Sequence, residues 1–150
     1  MKKYILAHDL GTSGNKATLF DLDGNLIKSA FYSYELFTGE GNTAEQRADD
    51  WWRAVCETSK SLTSVVNNMD IAAVSFSGQM MGCLCVDKNG IPLHNALIWA
   101  DMRSEKQAEQ ISAEIDAHSF YDITGHRLST SYSLTKLMWI RDNLPGVYKN

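Results

Sequence analysis

Basic residues are in short supply. The chain carries 14 Lys and Arg against 18 Asp and Glu, for a formal charge of −4, and no basic run occurs. Nucleic-acid binding draws on clustered cations meeting phosphates, so this balance argues against a nucleic-acid partner. Long apolar runs are also missing, and none approaches the roughly 18–20 residues that span a bilayer. The opening Met1–Ala7 stretch is interrupted by His8 and Asp9 too early to form a signal-peptide core, so a cytoplasmic location without a membrane partner is expected. There are only two prolines, no low-complexity tract and no internal repeat, which sets disordered and repeat architectures aside.

The three cysteines are odd in number and lack CxxC spacing, which disfavours both a disulfide framework and a structural zinc site. Cys83 and Cys85 lie two apart in a strand-like run and Cys56 in a helical pattern, so buried free thiols are expected. His8, His94, His118 and His126 are scattered without metal-ligand spacing.

What is present is an ordinary globular composition, 44% hydrophobic over 150 residues, enough for one domain with a core. Tyr4 to His8 and Lys16 to Phe20 read as strands, and Asp21-Leu22-Asp23-Gly24-Asn25 carries an Asp-Gly hairpin signal. Leu26 to Tyr34 follows as a third strand of an antiparallel meander. After a loop holding Gly39, Gly41 and Asn42, Asp49 and Asp50 suit a helix start. Trp51, Val55, Leu62 and Val66 then keep a 3.6-residue spacing, with Trp51 and Trp52 read as core more than as a ligand platform. Ile71 to Phe76 is a nearly continuous apolar run, as expected of a strand buried on both faces. Cys83 to Val86 and Ala96 to Trp99 read as further short strands. Two helical stripes close the chain: Ala108, Ile111 and Ile115, then Leu134, Leu137, Met138 and Leu144, the latter with Ser133 as N-cap, Trp139 as core and Pro145-Gly146 as its end. The order is α/β with a mixed sheet and helices packed on it, similar to one lobe of the ribonuclease H-like, actin-type ATPase architecture.

Chemistry concentrates first in Asp9-Leu10-Gly11-Thr12-Ser13-Gly14-Asn15-Lys16. Small residues at Gly11, Thr12 and Ser13 let backbone N–H groups and hydroxyls approach phosphate oxygens. Asp9, at the end of a strand, suits Mg²⁺ as a carboxylate ligand, and Lys16 offers charge balance for phosphate. The spacing is neither GxxxxGK[ST] nor GxGxxG, and a Gly- and Ser-rich hairpin turn is the competing structural reading.

The string resembles the first phosphate loop of the FGGY carbohydrate kinase family, and the resemblance runs on. Glu45-Gln46 followed by Asp49-Asp50-Trp51-Trp52 resembles the family's acidic-Gln segment entering a helix with a Trp pair. Ser77-Gly78-Gln79-Met80-Met81-Gly82 is similar to the Gly-Gln-Met-His-Gly of xylulokinases. Leu97-Ile98-Trp99-Ala100-Asp101-Met102-Arg103 resembles a Trp-x-Asp-x-Arg signature. Ile123-Thr124-Gly125 and Thr135-Lys136-Leu137-Met138-Trp139-Ile140 resemble the Thr-Gly and Lys-Leu-x-Trp segments.

This resemblance implies an ATP- and Mg²⁺-dependent kinase acting on a ketose or polyol. Asp9 would be catalytic and metal-holding, and Gly11, Thr12, Ser13 and Lys16 would bind the nucleotide phosphates. Gln79, Met80, Met81, Asp101 and Arg103 would contact the sugar. Each of these last has a plainer alternative: a turn cap for Gln79, core filling for the methionines, a structural pair for Asp101 and Arg103. Met81 stands where xylulokinases carry His, which removes a hydrogen-bond donor and leaves the sugar open. The resemblance further implies a base, an Asp, beyond residue 150 and a second, ATP-binding lobe. Residues 1–150 are thus expected to be the N-terminal part of the sugar-binding lobe, inactive alone and compatible with a homodimer. Nucleotide-driven actin-like or chaperone ATPases and a non-catalytic sugar- or nucleotide-binding module are the rival classes.

Overall fold

Apolar alternation in the first third and a 3.6-residue stripe after it produce the first structural unit. In the computed structural model, which describes residues 3–150, this unit runs up to Leu36 and resumes over Arg47–Gln79. Strands β1 (Tyr4–Leu10), β2 (Gly14–Asp21) and β3 (Leu26–Ser33) form the expected antiparallel meander. Its second turn is tied by Asp21, whose Oδ1 accepts from the Asn25 amide at 2.8 Å, while Gly24 supplies the positive φ of 86°. Residues 48–63 form the helix α1 (Ala48–Thr63), with Asp49 and Asp50 in its first turn against the positive end of the helix dipole.

Ala54, Val55, Thr58 and Leu62 of α1 are buried, and Leu62 joins Leu6, Ala17 and Leu19 in the core. Trp52 is 67% exposed, contrary to expectation. One residue is about 100° of helix rotation, so Trp52 is turned off the face that Trp51 and Val55 share. After a 3₁₀ turn at Asn68–Asp70, the strand Ile71–Gly78 pairs parallel to β1 and completes a four-stranded sheet. It was expected to be buried on both faces, yet all of it beyond Ile71 is exposed. It is an edge of the sheet, in the order β3-β2-β1 and then this strand, and Val74 and Phe76 are 51% and 56% exposed.

The second unit comprises Phe37–Gln46 and Met80–Asn150. The Gly39–Asn42 loop proves to be a hairpin between β4 (Phe37–Gly39) and β5 (Thr43–Gln46). In chain order the strand Ile71–Gly78 is β6, and β7 (Ala96–Leu97) pairs antiparallel with β5. Cys83 to Val86 makes only isolated bridges, Cys83 to Leu97 and Val86 to Pro92, rather than a strand. Four helices follow: α2 (Glu105–Glu114), α3 (Ala117–Thr124), α4 (Ser133–Asn143) and the single turn α5 (Pro145–Tyr148). Helix α3 escaped the periodicity reading. Asp116 caps it by accepting from the His118 and Ser119 amides, and Gly125 ends it at φ 75°.

Helix α4 turns the opposite way from its apolar stripe. Leu134 and Leu137 are exposed, whereas Thr135, Lys136 and Ile140 are buried. Ser133 is the first helical residue rather than the cap, and its hydroxyl donates to the Gly82 carbonyl at 2.7 Å. Among the described residues no helix is long and apolar enough to cross a membrane.

Candidate functional site

In the first unit, the residues of the Gly-rich string form the tight turn between β1 and β2. Gly11 donates to the Gly14 carbonyl at 3.0 Å, closing the turn. Glycine is required at position 14: a Cβ there would lie 2.6 Å from the Tyr32 carbonyl oxygen and 2.4 Å from the Phe31 ring. Asp9, the penultimate residue of β1, is exposed and pairs in register with exposed Lys16 on β2 and with Ser77 on β6. Residues directly opposite each other share a face, so Asp9 and Lys16 stand side by side. Ser13 is exposed at the tip, with Gly11 and Thr12 half-buried. Gln79 joins this group through its backbone, its amide donating to the Leu10 carbonyl at 2.9 Å.

The opposite face of the same strands is sealed by a polar cluster. Asn15 Nδ2 donates to His8 Nδ1 at 3.0 Å and to Thr58 Oγ1 at 2.8 Å, and Ser59 Oγ lies 3.3 Å from His8 Nε2. Burial holds His8 below the usual imidazole range. The ring also stacks on Phe76 at 5.0 Å. These contacts fix the strand ends from which Asp9 and the turn project.

Sequence reasoning missed Tyr34. Its hydroxyl donates to the Gly11 carbonyl and its amide to the Ser13 carbonyl. Burial, and then the charge of Asp9, push this phenol up to about 12. Nothing in a Tyr-rich strand end distinguishes this tyrosine from Tyr32.

In the second unit, the Trp-x-Asp-x-Arg segment leads from β7 into α2. Asp101 is fully buried, and its Oδ2 accepts from the Ala44 amide at 2.7 Å. Arg103 Nε donates to both Asp101 oxygens at 3.0 and 2.9 Å, and Nη2 reaches Asp101 Oδ2 and Glu45 Oε1, each at 2.7 Å. Glu45 Oε2 in turn accepts from Asn95 at 3.0 Å. The guanidinium sits 4.9 Å above the Trp139 ring, so Trp139 serves as a half-buried platform. Burial works against the Arg103 charge, but its bonds to Asp101 and Glu45 outweigh that and raise its pKa. Glu45, marked by the sequence only as part of an acidic-Gln segment, is thus a full member of this network.

Lys136 is entirely buried beside it, donating to the Thr130 carbonyl at 2.7 Å and to Ser131. Burial brings its ammonium down to about 8 despite the nearby Asp101 charge. Met80 is 72% exposed and so fills no core. Met81 adopts φ 63°, a rare and strained conformation for a long side chain.

Comparison with known proteins agrees with these observations. Residues 4–150 match the model of the FGGY family of carbohydrate kinases, N-terminal domain. A gluconokinase of Bacillus subtilis (strain 168) is 34% identical over 140 residues, covering 93% of this chain and 27% of the relative. A xylulose kinase of Staphylococcus xylosus is 29% identical over 150 residues, covering 97% of this chain and 31% of the relative. The crystal structure of gluconate kinase from Lactobacillus acidophilus superposes with a TM-score of 0.92 at 27% identity, covering all of this chain and 30% of that one. The chain therefore spans under a third of the length of the proteins it matches. The family match over nearly the whole chain, the mixed sheet and the ordered motifs converge: the chain belongs to the FGGY family of carbohydrate kinases, and its fold is the actin-like ATPase α/β fold of that family.

Proposed function

We propose that the protein carrying this chain transfers the γ-phosphoryl group of ATP to a hydroxyl of a sugar or polyol, and that residues 1–150 form the first part of its sugar-binding lobe. The observation that carries the reading is the β1–β2 turn, an exposed tight loop of small residues with the Asp9 carboxylate beside it. In this reading the exposed Ser13 and its neighbours bind phosphate oxygens, with Lys16 balancing their charge. Among the described residues no group of three or more metal-ligating side chains occurs. That suits Mg²⁺, which keeps most of its waters and takes one or two carboxylates plus substrate phosphates. Asp9 would hold the ion directly or through water, and the ion would neutralise charge on the transferring phosphoryl group.

In the first unit Gln79, whose amide is tied to the turn, offers its side chain to sugar hydroxyls; in the second unit Met80 and Met81 offer apolar contact to a sugar. Asp101 and Arg103 support the sugar side from their mutual network. The activities for which the relatives are named, gluconokinase and xylulose kinase, set the first candidates. Met81 in place of histidine removes one donor, which favours a substrate other than xylulose. The remainder of the domain, the catalytic Asp and the ATP-binding lobe would lie beyond residue 150; the chain's coverage of its relatives and the open edge at β6 support this.

The test is sugar-dependent ATP consumption by the full-length protein over D-gluconate, D-xylulose, glycerol and related polyols. Asp9→Asn is expected to lower kcat by about 100-fold or more with the fold retained. Near-normal rates would remove Asp9 from the reaction, and ATP consumption indifferent to added sugar would favour the actin-like ATPase reading.

A further inference from the structure

A loop that receives an anion must turn its carbonyl oxygens away or occupy them, because their lone pairs repel phosphate while N–H groups attract it. In the β1–β2 turn four carbonyls are occupied by donors of the protein itself. Gln79 N–H serves Leu10 at 2.9 Å, Gly11 N–H serves Gly14 at 3.0 Å, and Tyr34 serves the remaining two. Its hydroxyl takes the Gly11 oxygen and its amide the Ser13 oxygen, 3.4 Å away. Tyr34 follows directly on β3 (Leu26–Ser33), so its backbone joins the end of the sheet to the turn. Tyr34 is half-buried.

We propose that Tyr34 is a positioning residue for nucleotide phosphate: by holding the Gly11 and Ser13 carbonyls it keeps the donor face of the turn presented and the Asp9 end of β1 in place. The inference rests on the reading of this turn as a phosphate site. It assigns Tyr34 no contact with the sugar. Removing the hydroxyl therefore affects nucleotide affinity and leaves sugar affinity alone.

The test uses the full-length protein with Tyr34→Phe, which keeps the ring and removes one oxygen. Binding of the β,γ-imido analogue of ATP with Mg²⁺ is measured by calorimetry, alongside KM for ATP and for whichever sugar of the panel is turned over. Loss of one neutral hydrogen bond predicts a weakening for nucleotide of about 3- to 10-fold. KM for the sugar is expected to stay within about twofold, a split that general loosening of the fold would not produce. Hydrogen exchange at residues 11–14 without nucleotide provides a second readout, and these amides should exchange faster in Tyr34→Phe. Unchanged nucleotide affinity together with unchanged exchange would overturn the role of Tyr34, as would equal losses for nucleotide and sugar. Asp9→Asn, run in parallel, separates the two levels. If Asp9→Asn is inactive and Tyr34→Phe is silent, the phosphate reading stands and Tyr34 is excluded; if Asp9→Asn is near normal, the phosphate reading falls and takes this inference with it.

Discussion

The Arg103 guanidinium lies between Asp101, Glu45 and the ring of Trp139. The type and spacing of Arg103 match a family signature and leave open whether it grips sugar or braces the protein. The structure gives its guanidinium two carboxylates and an aromatic face, with the side chain only 10% exposed. A planar fork can meet all three partners at once, whereas an ammonium cannot. We expect Arg103→Lys to destabilise the protein by about 1–3 kcal/mol, since one buried carboxylate loses its partner. Urea denaturation measures this. If stability holds while KM for the sugar rises tenfold or more, Arg103 touches substrate instead. Lys136 teaches a related point. Hydropathy places a lysine outside, but two backbone carbonyls accept from it inside, so polar Thr135 and Lys136 share the buried face of α4 with Ile140.

At the level of elements, the parts legible in the sequence are those whose burial is local. The meander declared itself through alternation and an Asp-Gly turn, and α1 through a stripe that packs on the strands just before it. Less legible were elements set by distant partners. The β4–β5 hairpin depends on β7 across some fifty residues of chain, and α3 is a short, capped helix that buries only Phe120. In the candidate site the Gly-rich turn and Asp9 could be read from residue types. The tyrosine that holds the turn could not, because hydrogen bonds to backbone carbonyls leave no pattern in a single sequence. The turn also makes its own demand at Gly14, where two contacts leave no room for a methyl group. Gly14→Ala should cost about 1–3 kcal/mol through overpacking, with a lowered thermal midpoint as the measurement. An unchanged midpoint would mean that β3 yields at Tyr32 more easily than a paired strand should.

One of the two edges of the four-stranded sheet, β6, carries Val74 and Phe76 in the open. Residues 1–150 expressed alone should show no sugar-dependent ATP consumption and should self-associate as concentration rises, because an unpaired apolar edge invites another strand. Light scattering after size exclusion would detect this, and Val74→Lys should restore a monomer. A monomeric unsubstituted chain at high concentration would show that the edge is harmless as it stands.

The same edge has a consequence in time. Ribosomes add roughly 5–20 residues per second, and N-terminal regions begin folding before later ones exist. If the sheet does continue past Asn150, β6 emerges long before whatever is to lie beside it. For that interval the nascent chain holds a finished parallel pair, β1 with β6, whose outer side is a ready template for the wrong neighbour. The slowest and most chaperone-dependent moment in making this protein would then fall early in synthesis, with Gly78 already out and its covering strand still unwritten.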